Sequence, residues 1–122
     1  MTRRTLLTVS TLLALAAPAA ASPEYKCKDN RVEKSGSTKF TIRRSGTDFT
    51  IEKSGSTKAK VVKRGSKMSV EVSGSTKATI ERGKIYKSGS TWGSTSDAQR
   101  QFECDETVAG SLWVLFKLGI LP

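Results

Sequence analysis

The chain has 122 residues, with 21 Lys+Arg against 11 Asp+Glu, a formal net charge of +10, two Cys and no His. Without His, the commonest general base and metal ligand are missing, which excludes Ser-His-Asp, Cys-His and His-based zinc chemistry. The length bounds the chain to one domain with a modest core, and no run of about 18 apolar residues is present to cross a bilayer as a helix.

Residues 1–21 have the order of a secretory leader. Arg3 and Arg4 are followed by an apolar stretch from Leu6 to Ala17, then by Ala19-Ala20-Ala21 as a small-residue cleavage pattern. Cleavage is expected after Ala21; the alternative is an N-terminal helix of the domain. Glu24, Tyr25 and Lys26 stand before Cys27 where a lipid-attachment motif would need other residues, so no lipid anchor is expected. The mature chain, opening with a segment over 22–30, keeps 19 Lys+Arg against 11 Asp+Glu, a balance of +8. A periplasmic or secreted location follows, without a transmembrane segment after cleavage. In such a compartment Cys27 and Cys104 are expected to form a disulfide. Closing their 77-residue separation stabilises by roughly 4 kcal/mol in the chain-entropy account. An intermolecular bridge is the alternative.

Residues 31–92 are an internal repeat. Ser-Gly-Ser-Thr recurs at Ser35–Thr38, Ser54–Thr57, Ser73–Thr76 and Ser88–Thr91, with spacings of 19, 19 and 15. Weaker turns lie between the copies, at Ser45-Gly46-Thr47, Gly65-Ser66-Lys67 and Gly83. The stretches joining them alternate with the two-residue period of a strand: Phe40 and Ile42, then Ala59 and Val61, then Ala78 and Ile80. Val32, Ile51, Val70 and Ile85 form one apolar column that stays in register although the third unit is four residues shorter.

Two all-β architectures fit. One is a short two-sided β-solenoid of about three 19-residue coils, with like positions stacked about 4.8 Å apart. The other is an antiparallel β-meander. The solenoid is favoured, because the strong motif returns once per full unit and the column Phe40–Ala59–Ala78 becomes too small to fill a barrel. The Ser-Gly-Ser turns followed by alternating strands over Val32–Trp92 resemble a family of short secreted bacterial Ser-Gly-Ser/Gly-Asp-Gly repeat domains of unknown function. The family carries Asn where this chain has Thr38-Lys39. The resemblance implies a β-solenoid and supplies no activity.

Residues 93–104 read as a polar connector. A C-terminal helix follows over 105–119, with Asp105 as N-cap, Glu106 in the first turn, Lys117 in the last and Gly119 as the terminating residue. Its apolar stripe of Val108, Leu112, Leu115 and Phe116 is expected to cap the repeat domain, or alternatively to meet a protein partner.

Charge is concentrated in the repeats, where 31–92 holds 15 Lys+Arg against five Asp+Glu. In a solenoid, Lys39, Arg43, Lys58, Lys60 and Lys77 would line one basic face, and Arg44, Lys63, Arg64, Lys67 and Arg82 the adjoining weak-turn edge. Glu33, Glu52 and Glu71 would lie on the opposite face. The ten cations are the candidate anion-binding residues, for lipopolysaccharide, an acidic wall polymer or, less plausibly given few aromatic residues, nucleic acid. The bland reading is a solvated face that keeps strands from aggregating. Acid–base catalysis would rest on the Glu33–Glu52–Glu71 column, which reads instead as exterior salt-bridge positions. No P-loop pattern, metal cluster or cofactor motif is present, so no cofactor is expected. The expected function is a non-enzymatic structural or interaction module of the cell envelope, with anionic-polymer binding as the alternative.

Overall fold

A computed structural model describes residues 23–121, so the leader segment lies outside the described residues. The elements run β1 (Tyr25–Lys28), β2 (Arg31–Lys34), β3 (Ser37–Ser45), β4 (Asp48–Lys53), β5 (Ser56–Arg64), β6 (Lys67–Val72), β7 (Ser75–Glu81), β8 (Lys84–Lys87) and β9 (Ser90–Ser94). Then come α1 (Thr95–Gln101), β10 (Phe102–Glu103) and α2 (Glu106–Lys117). The ten strands form one open sheet in the order β10-β1-β2-β3-β4-β5-β6-β7-β8-β9.

From β1 to β9 each strand pairs antiparallel with the next. Ile51 of β4 faces Ala59 of β5, and Val61 of β5 faces Val70 of β6. The expected solenoid would instead place Ile51 beside Val70 in parallel strands one unit apart. The pairing is that of the meander, and the reason lies in the turns. Ser35-Gly36, Ser54-Gly55, Ser73-Gly74 and Ser88-Gly89 all have φ between 53° and 82°, the doubly left-handed backbone of a type I′ hairpin. At the other sheet edge, Gly46 and Gly65 supply a single positive φ at the first turn position, as a type II′ hairpin requires. Two-residue turns of these types reverse the chain onto its neighbour, so each 19-residue unit is one strand up and one strand down.

A bulge follows every Ser-Gly turn. Between the pairs Glu33↔Thr38 and Val32↔Phe40, Lys39 has no opposite residue. Lys58 and Lys77 occupy the same position in β5 and β7, and Trp92 does so in β9. The Ser-Gly-Ser-Thr-Lys motif therefore encodes a tight turn and then one extra residue that strengthens the local twist. The shorter third unit also follows from this pairing. β7 and β8 end at Glu81↔Lys84, the hairpin having lost two residues from each arm, which leaves the inward side of both strands unchanged.

The sheet curls. β9 and β10 are its two outermost strands, yet only seven residues of α1 join them, spanning about 10 Å at helical rise. Enclosed by the curl, α2 buries Val108, Ala109, Gly110, Ser111, Leu112, Val114 and Leu115. Against it pack the inward column Val32, Ile51, Val70 and Ile85, all fully buried, with Phe40, Ile42, Phe49, Val61 and Ile80. The helix accounts for the shrinking column. Phe40 meets Phe116 at 5.9 Å, Ala59 and Ala78 leave room, and at Gly93 a Cβ would stand 2.6 Å from the Trp113 ring.

Helix α2 has the expected ends. Asp105 accepts a hydrogen bond from the Val108 amide at 2.9 Å, and Gly119 has φ 75° beyond the last turn. Its apolar stripe is used inside the fold, so the alternative of a partner-facing stripe is replaced by burial in the molecule's own core. The expected connector at 93–104 is more ordered than a polar linker: it completes β9, forms α1 and ends in β10. Ser94 caps α1 by accepting from the Asp97 amide at 3.1 Å. β10 pairs parallel with β1 through Tyr25↔Phe102 and Lys26↔Glu103. Beside that pair Cys27 and Cys104 form the disulfide, with Cα atoms 5.0 Å apart.

Candidate anion-binding surface

The ten candidate cations lie on one sheet, in two settings. Arg43 and Lys60 point outward from the middle of β3 and β5, in the cross-strand row Arg43–Thr50–Lys60–Glu71. Lys39, Lys58 and Lys77 sit at the bulges, close to the Ser-Gly turns and outside strict alternation. Arg44, Lys63, Arg64, Lys67 and Arg82 gather at the opposite edge, all exposed.

The carboxylates are not on an opposite face, because a single curled sheet has one exterior and its other side is filled by α2. Glu33, Glu52 and Glu71 lie among the cations and take the arginines. Arg31 Nε reaches Glu33 Oε2 at 3.7 Å, Arg43 Nε reaches Glu52 Oε2 at 3.2 Å, and Arg64 Nη2 reaches Glu71 Oε2 at 2.8 Å. Arg44 is held at the far edge by Asp105 at 3.4 Å and Asn30 at 3.2 Å. Exposed ion pairs of this kind contribute little to stability, and each sets a carboxylate in competition with any phosphate for its guanidinium. Lys39, Lys58, Lys60, Lys63, Lys67, Lys77 and Arg82 have no carboxylate partner among the described residues.

Three further lysines lie outside the ten candidates, although Lys-Ser-Gly-Ser-Thr in three of the four copies was the signal for them: Lys34, Lys53 and Lys87. Each ends the strand that enters a Ser-Gly turn. Lys34 and Lys53, with Lys39, line an open cleft of about 500 Å³ together with Tyr25, Ser35, Ser37 and Phe40. Lys34 lies 5.4 Å from the Tyr25 ring centre and 3.2 Å from Glu24. Glu24 accepts its hydrogen bond and adds Coulomb attraction, raising the Lys34 pKa above the ordinary 10.5, so the ammonium stays charged at neutral pH. Lys87 stands 4.8 Å over the Trp92 ring, which itself packs edge-on to Trp113.

Among the described residues no group of three or more His, Cys, Asp or Glu could hold a metal ion, and no helix is long and apolar enough to cross a membrane. Comparison with protein-family models, curated proteins and solved structures finds no match to this chain.

Proposed function

We propose that the protein is a non-enzymatic binding module of an oxidising, extracytoplasmic compartment, and that it holds anionic polymers through many separate lysine contacts. The observation that carries this is the division of labour among its cations. Arg43, Arg44 and Arg64 each have a carboxylate neighbour, while the seven other candidates, six of them lysines, are left unpaired among the described residues. Lysine is a compact point charge on a flexible stem and suits a partner with many similar charges and no fixed geometry. The leader-like order of residues 1–21 and the Cys27–Cys104 disulfide support the compartment.

The test is retention on immobilised heparin, lipopolysaccharide and purified cell wall over a range of salt. Changing Lys39, Lys58 and Lys77 together to Gln should move elution to markedly lower salt, since each neutralised anion no longer releases counterion. Melting should stay within about 0.5 kcal/mol of the parent, because exposed substitutions disturb little. Changing Glu33, Glu52 and Glu71 to Gln should tighten retention by releasing Arg31, Arg43 and Arg64. A parent that is not retained on any of the three at about 0.15 M salt would overturn polymer binding and leave a purely structural module.

A further inference from the structure

We infer that the polymer is held along the sheet edge made by the four Ser-Gly turns, with Lys34, Lys53 and Lys87 as contact residues beside Lys39, Lys58 and Lys77, and that the ligand is a linear polyanion. The inference rests on the proposed function and assigns its site.

The four turn segments 34–39, 53–58, 72–77 and 87–92 contain six lysines and no Asp or Glu. All twelve of their Ser and Thr residues are exposed, so hydroxyl donors stand beside every ammonium. Glu33, Glu52 and Glu71 stand directly across from Thr38, Thr57 and Thr76, and their pairing with Arg31, Arg43 and Arg64 limits their claim on the turn lysines. The opposite edge is mixed in sign. There Arg44 binds Asp105, Asp48 accepts from the Lys63 amide, and Glu81 accepts from Ser66.

Geometry favours a linear partner. Successive Ser-Gly turns are two strands apart, about 10 Å at ordinary strand spacing, and stand side by side along one edge. A chain carrying an anion every few ångströms can follow that row, meeting one or two lysines per turn. The cleft lined by Lys34, Lys39 and Lys53 brings three lysines of the row around one hollow. Lys34 is the member with a carboxylate partner, and that partner, Glu24, is half exposed and exchangeable.

The experiment measures binding of long-chain polyphosphate and of tripolyphosphate to the parent and to two triple variants of equal charge change. One carries Lys34→Gln, Lys53→Gln and Lys87→Gln; the other carries Lys28→Gln, Lys84→Gln and Arg100→Gln, three exposed cations outside the candidate set. The first should lose affinity for the long chain about tenfold or more, and its log–log salt slope should fall by about two. The second should stay within about twofold of the parent, the spread expected of cations outside the contact. Replacing Lys34, Lys53 and Lys87 by Arg should keep binding, which separates charge from folding damage. Per phosphate, the long chain should bind far more tightly than tripolyphosphate, because linked contacts reinforce one another. Binding by the parent with equal losses in both triple variants would overturn the edge assignment and leave the proposed function intact. Equal affinity per phosphate for the two lengths would overturn the linear ligand, and no parent binding would overturn both.

Discussion

Gly93 and Trp113 show how closely the interior is fitted. Gly93 is opposite Ile85 in the sheet, and the Trp113 ring covers its Cα so closely that a Cβ would meet Cη2 at 2.6 Å and Cζ2 at 2.9 Å. Its role is space, since its φ is not positive. Gly93→Ala should therefore destabilise by about 1–3 kcal/mol, measured by denaturant unfolding. The double variant with Trp113→Phe should lose less than the two single losses combined, because the partners touch. An additive result would mean the close approach is not what the glycine serves. On the exterior, Thr50 Oγ1 is buried between its cross-strand neighbours Arg43 and Lys60 and has no hydrogen-bond partner. Thr50→Val keeps the shape and removes the unsatisfied hydroxyl, so it should stabilise by about 1 kcal/mol. A loss of stability in the same unfolding measurement would show that the hydroxyl is bonded after all.

At the scale of the element, the hairpin is the unit. Ser54 adopts φ 53° and Gly55 φ 80°, a backbone that Asn-Gly fills better than Ser-Gly. Ser54→Asn should raise stability by about 0.5 kcal/mol, and Gly55→Ala should lower it by about 1 kcal/mol. Calorimetric melting of the two variants checks both signs. These turns also explain what was and was not legible. The inward residues Phe40, Ile42, Ile51, Val61, Val70, Ile80 and Ile85 follow from alternation alone, and all are buried. Their pairing partners do not follow, because a 19-residue period repeats the same face whether neighbours are successive strands or successive coils. The deciding signal was the two-residue Ser-Gly and Gly-X loop, which reverses a strand and does not turn a coil corner. The bulge at Lys39, Lys58 and Lys77 hid behind the same motif, since one unpaired residue leaves the period unchanged. For the candidate site, the cations could be named from sequence. Which of them are neutralised depended on cross-strand neighbours such as Arg43 and Glu52, and therefore on the pairing.

Over the whole molecule, the ends are tied together. α2 and its Asp105 cap were readable from spacing, and the Cys27–Cys104 pair from an even cysteine count behind a leader-like segment. α1 was not, because among its seven residues the buried ones are only Thr95 and Ala98, although Ser94 with Asp97 three positions on was a cap signal. What α1 does is topological: it carries the chain from one sheet edge to the other, so that β10 can join β1 and the disulfide can close beside it. Replacing both cysteines by Ser should cost about 2–5 kcal/mol, seen as a lower denaturation midpoint. An unchanged midpoint would mean that α1 and β10 hold the edges together unaided.

The open sheet keeps the four Ser-Gly turns in one row, and the central claim is that this row meets a polyanion. The most direct measurement follows the amide resonances of the glycines in the unmodified protein while long-chain polyphosphate is added. Gly36, Gly55, Gly74 and Gly89 mark the lysine-flanked edge, and Gly46, Gly65 and Gly83 mark the other. The first four should move together, saturate, and return as salt is raised, while the last three stay in place. Movement confined to Gly46, Gly65 and Gly83, equal movement at both edges, or no movement at all would contradict it.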